Sequence, residues 1–197
     1  MISKAMEFAR EVFARDASGH DFDHTMRVYR MAVRIAEEEG ADLRTVALSA
    51  LLHDVDDRKI SPKTCENKDH AVKFLRENGM DETQIRKIVR IISEISFSEG
   101  SGRPSTLEGM CVQDADRLDA MGAIGIGRAF AFDGSRGRRM HDPEGPDKST
   151  TIQHFYDKLL LLKDRMNTHT GKQLADQRDA YLRSFLDEFY AEWDGKR

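Results

Sequence analysis

The sequence sets histidine and aspartate side chains against apolar segments, where a titratable group is costly unless it is paired or bound to a metal. His24 stands in "GHDFDHTMRVYRMAVRIAEE", where Val28, Met31, Ala32 and Ile35 follow at helical spacing, so its imidazole lies on the buried stripe of a helix. His53 and Asp54 end the run "TVALSALLHD", whose Val46, Ala47, Ala50 and Leu51 make a core face. Adjacent helical residues normally point apart. At a helix end the regular geometry relaxes, and both side chains can turn toward one ion. Asp114, Asp116 and Asp119 crowd "VQDADRLDAMG", and one of the three is expected to face inward. Two imidazoles and two carboxylates form a mixed nitrogen and oxygen donor set suited to Mn, Fe, Co or Mg, and unlike a thiolate zinc site. Each residue has a blander alternative: His24 as a core histidine bonded to a carbonyl, Asp54 as a partner for His53 or a cap for the next turn.

Helices must position these groups. Four prolines and long segments of 3.6-residue period indicate an all-α protein, since no run shows the alternation that hairpins require. The pattern predicts helices at about 2–16, 22–39, 42–54, 66–78, 81–97, 105–132, 149–165 and 168–194. Asp21 is the expected N-cap of the second, and Gly40, Gly79 and Gly100 fall at or near helix ends. The segment 132–150, "FDGSRGRRMHDPEGPDKST", reads as one long loop. Phe155, Leu159 and Leu162, then Leu182, Phe185 and Phe189, make the apolar stripes of two packing helices, with His154 and His169 as ordinary polar positions.

A chain of 197 residues suggests a single domain over 1–197, with a metal-binding core at about 20–120 and a C-terminal helical part at about 149–195. No apolar stretch approaches the roughly 20 residues that cross a bilayer. The N-terminus, with Ile2, Met6, Ala9 and Phe13 at helical spacing, reads as an amphipathic helix of the mature fold rather than a signal peptide. Cys65 and Cys111 are far apart with no CxxC, which fits a reducing, cytoplasmic location. A net charge of −4 argues against a nucleic-acid polymer as partner but leaves room for a small anion.

Taken together, His24, His53-Asp54 and Asp116, in the contexts "HDFDHTMRV", "LLHDVDD" and "QDADRLDAMGAIGIGRAF" and with "STTIQHFYDKLLLLKDRMNT" downstream, resemble the H…HD…D signature of the HD-domain metal-dependent phosphohydrolases, in particular the small stand-alone bacterial hydrolases of the YedJ and YpgQ kind. The resemblance spans nearly the whole chain. It implies a compact all-helical HD fold and one divalent metal ion held by His24, His53, Asp54 and Asp116, with Mn or Mg favoured over Fe, Co, Ni or Zn. It also implies phosphate esters or anhydrides as substrates, commonly nucleotides, and nucleoside triphosphate (NTP or dNTP) pyrophosphohydrolysis for the nearest relatives. Homodimerisation follows from family habit alone.

Such chemistry needs a nucleophile, neutralisation of phosphate charge and proton transfer, and metal-bound water attacking phosphorus in line would supply the first. Asp57, three residues beyond Asp54, matches the position where several HD hydrolases carry an acidic residue, and is the candidate general base. Many relatives have Glu there, so the reach of the shorter side chain is in question. Arg27, one turn after His24, and Lys59 are favoured over Arg58 as phosphate contacts. His20 is a candidate for contacting substrate or leaving group. His141-Asp142 repeats the dipeptide in a loop without an apolar helix before it and is not expected to bind metal, although the loop could recognise substrate. "GAIGIG" follows no predicted strand, so its glycines are assigned to close helix packing rather than to a dinucleotide cradle. His70 could ligate a second metal, but one ion is favoured. The competing readings are a phosphomonoesterase acting on small metabolites, a non-catalytic module that senses a phosphorylated ligand, and a purely helical interaction protein.

Overall fold

The computed structural model describes all residues except 15–20, 59–60, 62 and 96–101. It is all-helical, with no strand among the described residues, and the chain divides within one helix into two compact units, 1–116 and 117–197.

The first unit contains α1 (Ile2–Phe13), α2 (Phe22–Glu39), α3 (Leu43–Leu52), α4 (Asp69–Glu77), α5 (Glu82–Ile95) and most of α6 (Leu107–Asp119). The centre is α3. Every residue from Val46 to Leu52 is buried, and the helix packs on α1, α2 and α5, as a helix apolar on all sides must. Leu48, Leu51, Leu52 and Val55 share one core with Ala5, Ala9 and Phe13 of α1, Phe74 and Leu75 of α4 and Ile85, Ile88 and Ile92 of α5. Local carboxylates start three of these helices: Asp21 accepts the N–H of His24 at 2.7 Å, Asp42 that of Thr45 at 2.8 Å, and Asp81 those of Thr83 and Gln84 at 2.9 and 3.0 Å. Gly40 ends α2 in the left-handed conformation at φ 74°, as expected of a C-terminal glycine. Gly100 lies outside the described residues.

The second unit holds α7 (Gly122–Ser135), α8 (Thr151–Asp157) and α9 (His169–Trp193). Phe130 of α7, Phe155 of α8 and Phe185 and Phe189 of α9 form one aromatic cluster, with Phe155 fully buried.

Two helix assignments made from the sequence are corrected. The span 105–132 is two helices, because α6 closes on tight bonds from Ala120 N–H to Arg117 and from Met121 N–H to Leu118, after which Met121 is extended and Gly122 has φ 67°. A Cβ on Gly125 would stand 2.3 Å from the Ala120 carbonyl oxygen. In "GAIGIG", Gly122 supplies the positive φ of the turn and also stands close against the Arg178 side chain of α9, as expected of a helix-packing glycine, while Gly125 admits the Ala120 carbonyl. The span 149–165 is helical only to Asp157. Lys158 (φ −139°, ψ −57°) breaks it, and two 3-10 turns, Leu159–Leu161 and Lys163–Arg165, continue the chain. Three residues per turn put Leu159 and Leu162 on one side, and both are buried.

Candidate metal centre

His24 reaches the site from the first turn of α2, where the Asp21 cap fixes the helix start and Val28, Ala32 and Ile35 bury the same face. His53 is the C-cap of α3, and Asp54 begins the turn beyond it, held by bonds from Val55 N–H to Leu52 and from Asp57 N–H to Asp54. His24, His53 and Asp54 converge, with one donor atom of each within 4.8 Å of the others. Nε2 of His24 lies 3.4 Å and Nε2 of His53 3.1 Å from Oδ2 of Asp54, and Asp116, from α6, places Oδ1 3.5 Å from Nε2 of His24.

The donor chemistry fits a divalent ion. Nδ1 of His53 lies 2.7 Å from the Ala50 carbonyl oxygen, an acceptor only, so Nδ1 carries the proton and Nε2 presents its lone pair to the site. That buried Nε2 makes no hydrogen bond, although a carboxylate oxygen is 3.1 Å away. Two electron-pair donors facing each other at that distance call for a positive charge between them, a proton or a divalent ion. Separations of 3.1–3.5 Å match neighbouring ligands on one ion, about 3.0–3.6 Å apart for bonds of about 2.1–2.2 Å. The imidazoles form the floor, at 2% and 4% side-chain exposure, and the carboxylates the rim, at 14% for Asp54 and 25% for Asp116, so solvent reaches the cluster from the oxygen side.

His53 also gives the site a proton coupling. Burial, the largest influence, pushes its imidazolium pKa down, but the adjacent Asp54, the charge of Asp116 and the Ala50 carbonyl outweigh it and raise the value from 6.5 to about 9. The proton therefore stabilises the metal-free fold fully below about pH 6.5, and that contribution is lost as pH rises through about 9. An incoming ion must displace it. Calorimetric titration of Mn²⁺ into metal-free protein at pH 7.5, in buffers of different ionisation enthalpy, is expected to report about one proton released per ion. Absence of proton release would mean that His53 is already neutral in the metal-free protein.

The other sequence candidates are placed unevenly. Arg27 is half-buried on α2, Asp57 is half-buried in the turn after Asp54, and Arg58 is exposed. His20 and Lys59 lie outside the described residues. Of the crowded aspartates, Asp114 is fully buried, while Asp119 pairs with Arg128 at 2.5 Å. His70 is not part of the cluster: its Nδ1 lies 3.3 Å from the Val55 carbonyl and 3.4 Å from Ser61 Oγ, and no second group of three metal-binding side chains forms among the described residues. The His141-Asp142 pair builds its loop. Asp142 accepts the Asp147 N–H at 2.8 Å and faces Arg139 at 3.3 Å, while the His141 ring packs edge-on to Tyr190 and Trp193. The residue that sequence reasoning missed is Asp56, fully buried between Asp54 and Asp57 and bonded to the start of α4. No local sequence signal marks it, since its partners, His70 and Ala71, lie fourteen and fifteen residues along the chain.

Known proteins resemble this chain along most of its length. The HD domain model matches residues 21–121, a span that contains His24, His53, Asp54 and Asp116. The YpgQ protein of Bacillus subtilis is 36% identical over 182 residues, covering 91% of this chain and 87% of its own. Among solved structures, an HD-superfamily hydrolase from Bacillus thuringiensis superposes with a TM-score of 0.82 at 40% identity, covering 98% of this chain and 96% of its own. Bacillus subtilis YpgQ in complex with ADP superposes with a TM-score of 0.82 at 33% identity, covering 98% and 97%. With a matching family model over half its length and relatives that align almost end to end, the chain belongs to the HD-domain family.

Proposed function

We propose that the protein is a divalent-metal-dependent phosphohydrolase that acts on nucleotides, cleaving a nucleoside triphosphate (NTP or dNTP) to the monophosphate and pyrophosphate. The observation that carries this reading is the buried, unbonded Nε2 of His53 facing the Asp54 carboxylate beside His24. The similarity to YpgQ, which has been crystallised with ADP, supports a nucleotide as the ligand.

In this reading His24, His53, Asp54 and Asp116 hold one ion, with Mn or Mg favoured. A bound divalent ion neutralises phosphoryl charge and makes a water acidic enough to attack at neutral pH. The protein's own groups do the rest. Asp54 and Asp116 leave the solvent side of the cluster open to phosphate oxygens. Asp57, held to Asp54 by a 2.9 Å bond from its N–H to the Asp54 carbonyl, takes the proton of the attacking water. The Arg27 guanidinium, one turn along α2 from His24, forks onto a phosphate. Lys59 supplies a further cation, and His20 serves the leaving group.

Replacing Asp57 with Asn keeps its size and removes its basicity. Turnover is expected to fall by about 10²–10⁴-fold, with Mn²⁺ affinity held within about threefold, since Asp57 is not assigned as a ligand. Undiminished turnover would remove Asp57 from the mechanism. The activity itself is tested by stripping the protein, adding back Mn, Mg, Co, Ni, Fe or Zn singly, and separating the products from a panel of nucleotides and phosphomonoesters. Pyrophosphate release is the expected result. Orthophosphate alone would make the protein a phosphatase, and stabilisation by nucleotides without turnover on any metal would make it a sensor.

A further inference from the structure

The start of α4 departs from local capping rules. Its N-cap, Lys68, is left-handed with φ 55°, the one non-glycine residue at positive φ among the described residues, and supplies no capping side chain. A lysine tolerates that conformation poorly. The start of α4 takes its acceptors from far upstream instead. Oδ1 of Asp56 accepts the N–H of His70 at 3.1 Å, and Oδ2 accepts that of Ala71 at 2.9 Å, with the carboxylate fully buried. The neighbouring contact runs the same way, since Nδ1 of His70 lies 3.3 Å from the Val55 carbonyl. Any Ser or Asp at position 68 could have capped α4 locally. The long-range arrangement does something that a local cap cannot: it fastens the helix to the turn carrying Asp54.

We propose, on the basis of the metal centre assigned above, that Asp56 is a positioning residue which holds the Asp54 carboxylate in its metal-facing direction by clamping the 53–57 turn to the N-terminus of α4. Asp56 faces α4 and not the ion. Its effect passes through the backbone, because Val55 N–H bonds to Leu52 and Asp57 N–H to Asp54 on either side of it. A clamp with two acceptors fixes direction as well as distance, which a single bond would not.

The test compares wild type, His53→Ala and Asp56→Asn, the last keeping the volume and one acceptor. Mn²⁺ binding by wild type and its loss in His53→Ala establish the centre, and absence of Mn²⁺ binding in wild type would sink the metal reading itself. Given the centre, Asp56→Asn is expected to weaken Mn²⁺ binding about tenfold to a hundredfold. Equal affinity in the two proteins would reduce Asp56 to a helix cap. A second measurement needs no variant. If the turn and α4 are coupled, the coupling is reciprocal, so Mg²⁺ should slow amide hydrogen exchange at His70 and Ala71 in the wild type. The locally capped Gly171 N–H is the control. Unchanged exchange at His70 and Ala71 upon ion binding would overturn the proposal even if Asp56→Asn failed to fold.

Discussion

His53→Ala is expected to abolish tight metal binding and to lower turnover by at least about a thousandfold, with Asp54→Ala behaving in the same way. His53 supplies the lone pair whose direction is set by the Nδ1 bond to Ala50, and Asp54 supplies the carboxylate 3.1 Å from it. Neither has an evident substitute within the cluster. A divalent ion at such a site lowers a phosphoryl-transfer barrier by several kcal/mol, and each 1.36 kcal/mol is about a factor of ten. The measurement is metal stoichiometry after gel filtration, run beside single-turnover assays. The folded state should survive His53→Ala, because the change removes a polar ring at the end of α3 and leaves the Leu48, Leu51 and Leu52 packing intact. Tight stoichiometric metal in both variants would refute the ligand assignment.

The largest stability effect is expected from Phe155→Ala. Phe155 is fully buried and touches the rings of Phe130 and Phe185, with centroids 6.1 and 5.7 Å away. Removing a phenyl ring from such a position loses its transfer free energy and leaves a cavity that the remaining aromatics fill only in part. The cost is about 3–5 kcal/mol, which for a chain of this size corresponds to roughly 10 °C in melting temperature. Urea denaturation followed by far-ultraviolet circular dichroism measures it. A loss below about 1 kcal/mol would show that the second unit repacks freely around the gap.

Much of this arrangement is legible in the sequence, for identifiable reasons. Asp21 and Gly40 bracket α2 with the chemistry of a helix start and a helix end, and the observed limits, Phe22–Glu39, match the expected ones. The transition from apolar run to His53-Asp54 marks a helix terminus because no other feature of a buried helix tolerates it. Reversals without a polar signature are harder to read. Between α6 and α7 the residues Ala120, Met121, Ala123 and Ile124 all suit a helix, and only the positive φ of Gly122 and the close approach at Gly125 reveal the turn. Asp56 was hidden for another reason. Its partners are fourteen and fifteen residues away, and no short-range pattern separates it from the aspartates on either side.

The burial of α3 from Val46 to Leu52 has a consequence for how the protein can fail. A loop-borne ligand pair could be lost by fraying, a cheap local fluctuation that leaves the rest of a molecule intact. His53 and Asp54 follow directly from a helix with no solvent-facing side from Val46 to Leu52. Freeing them from that end requires opening the core of their unit. The protein should therefore keep its ligand pair assembled under mild stress and surrender it in the same cooperative step that melts the first unit.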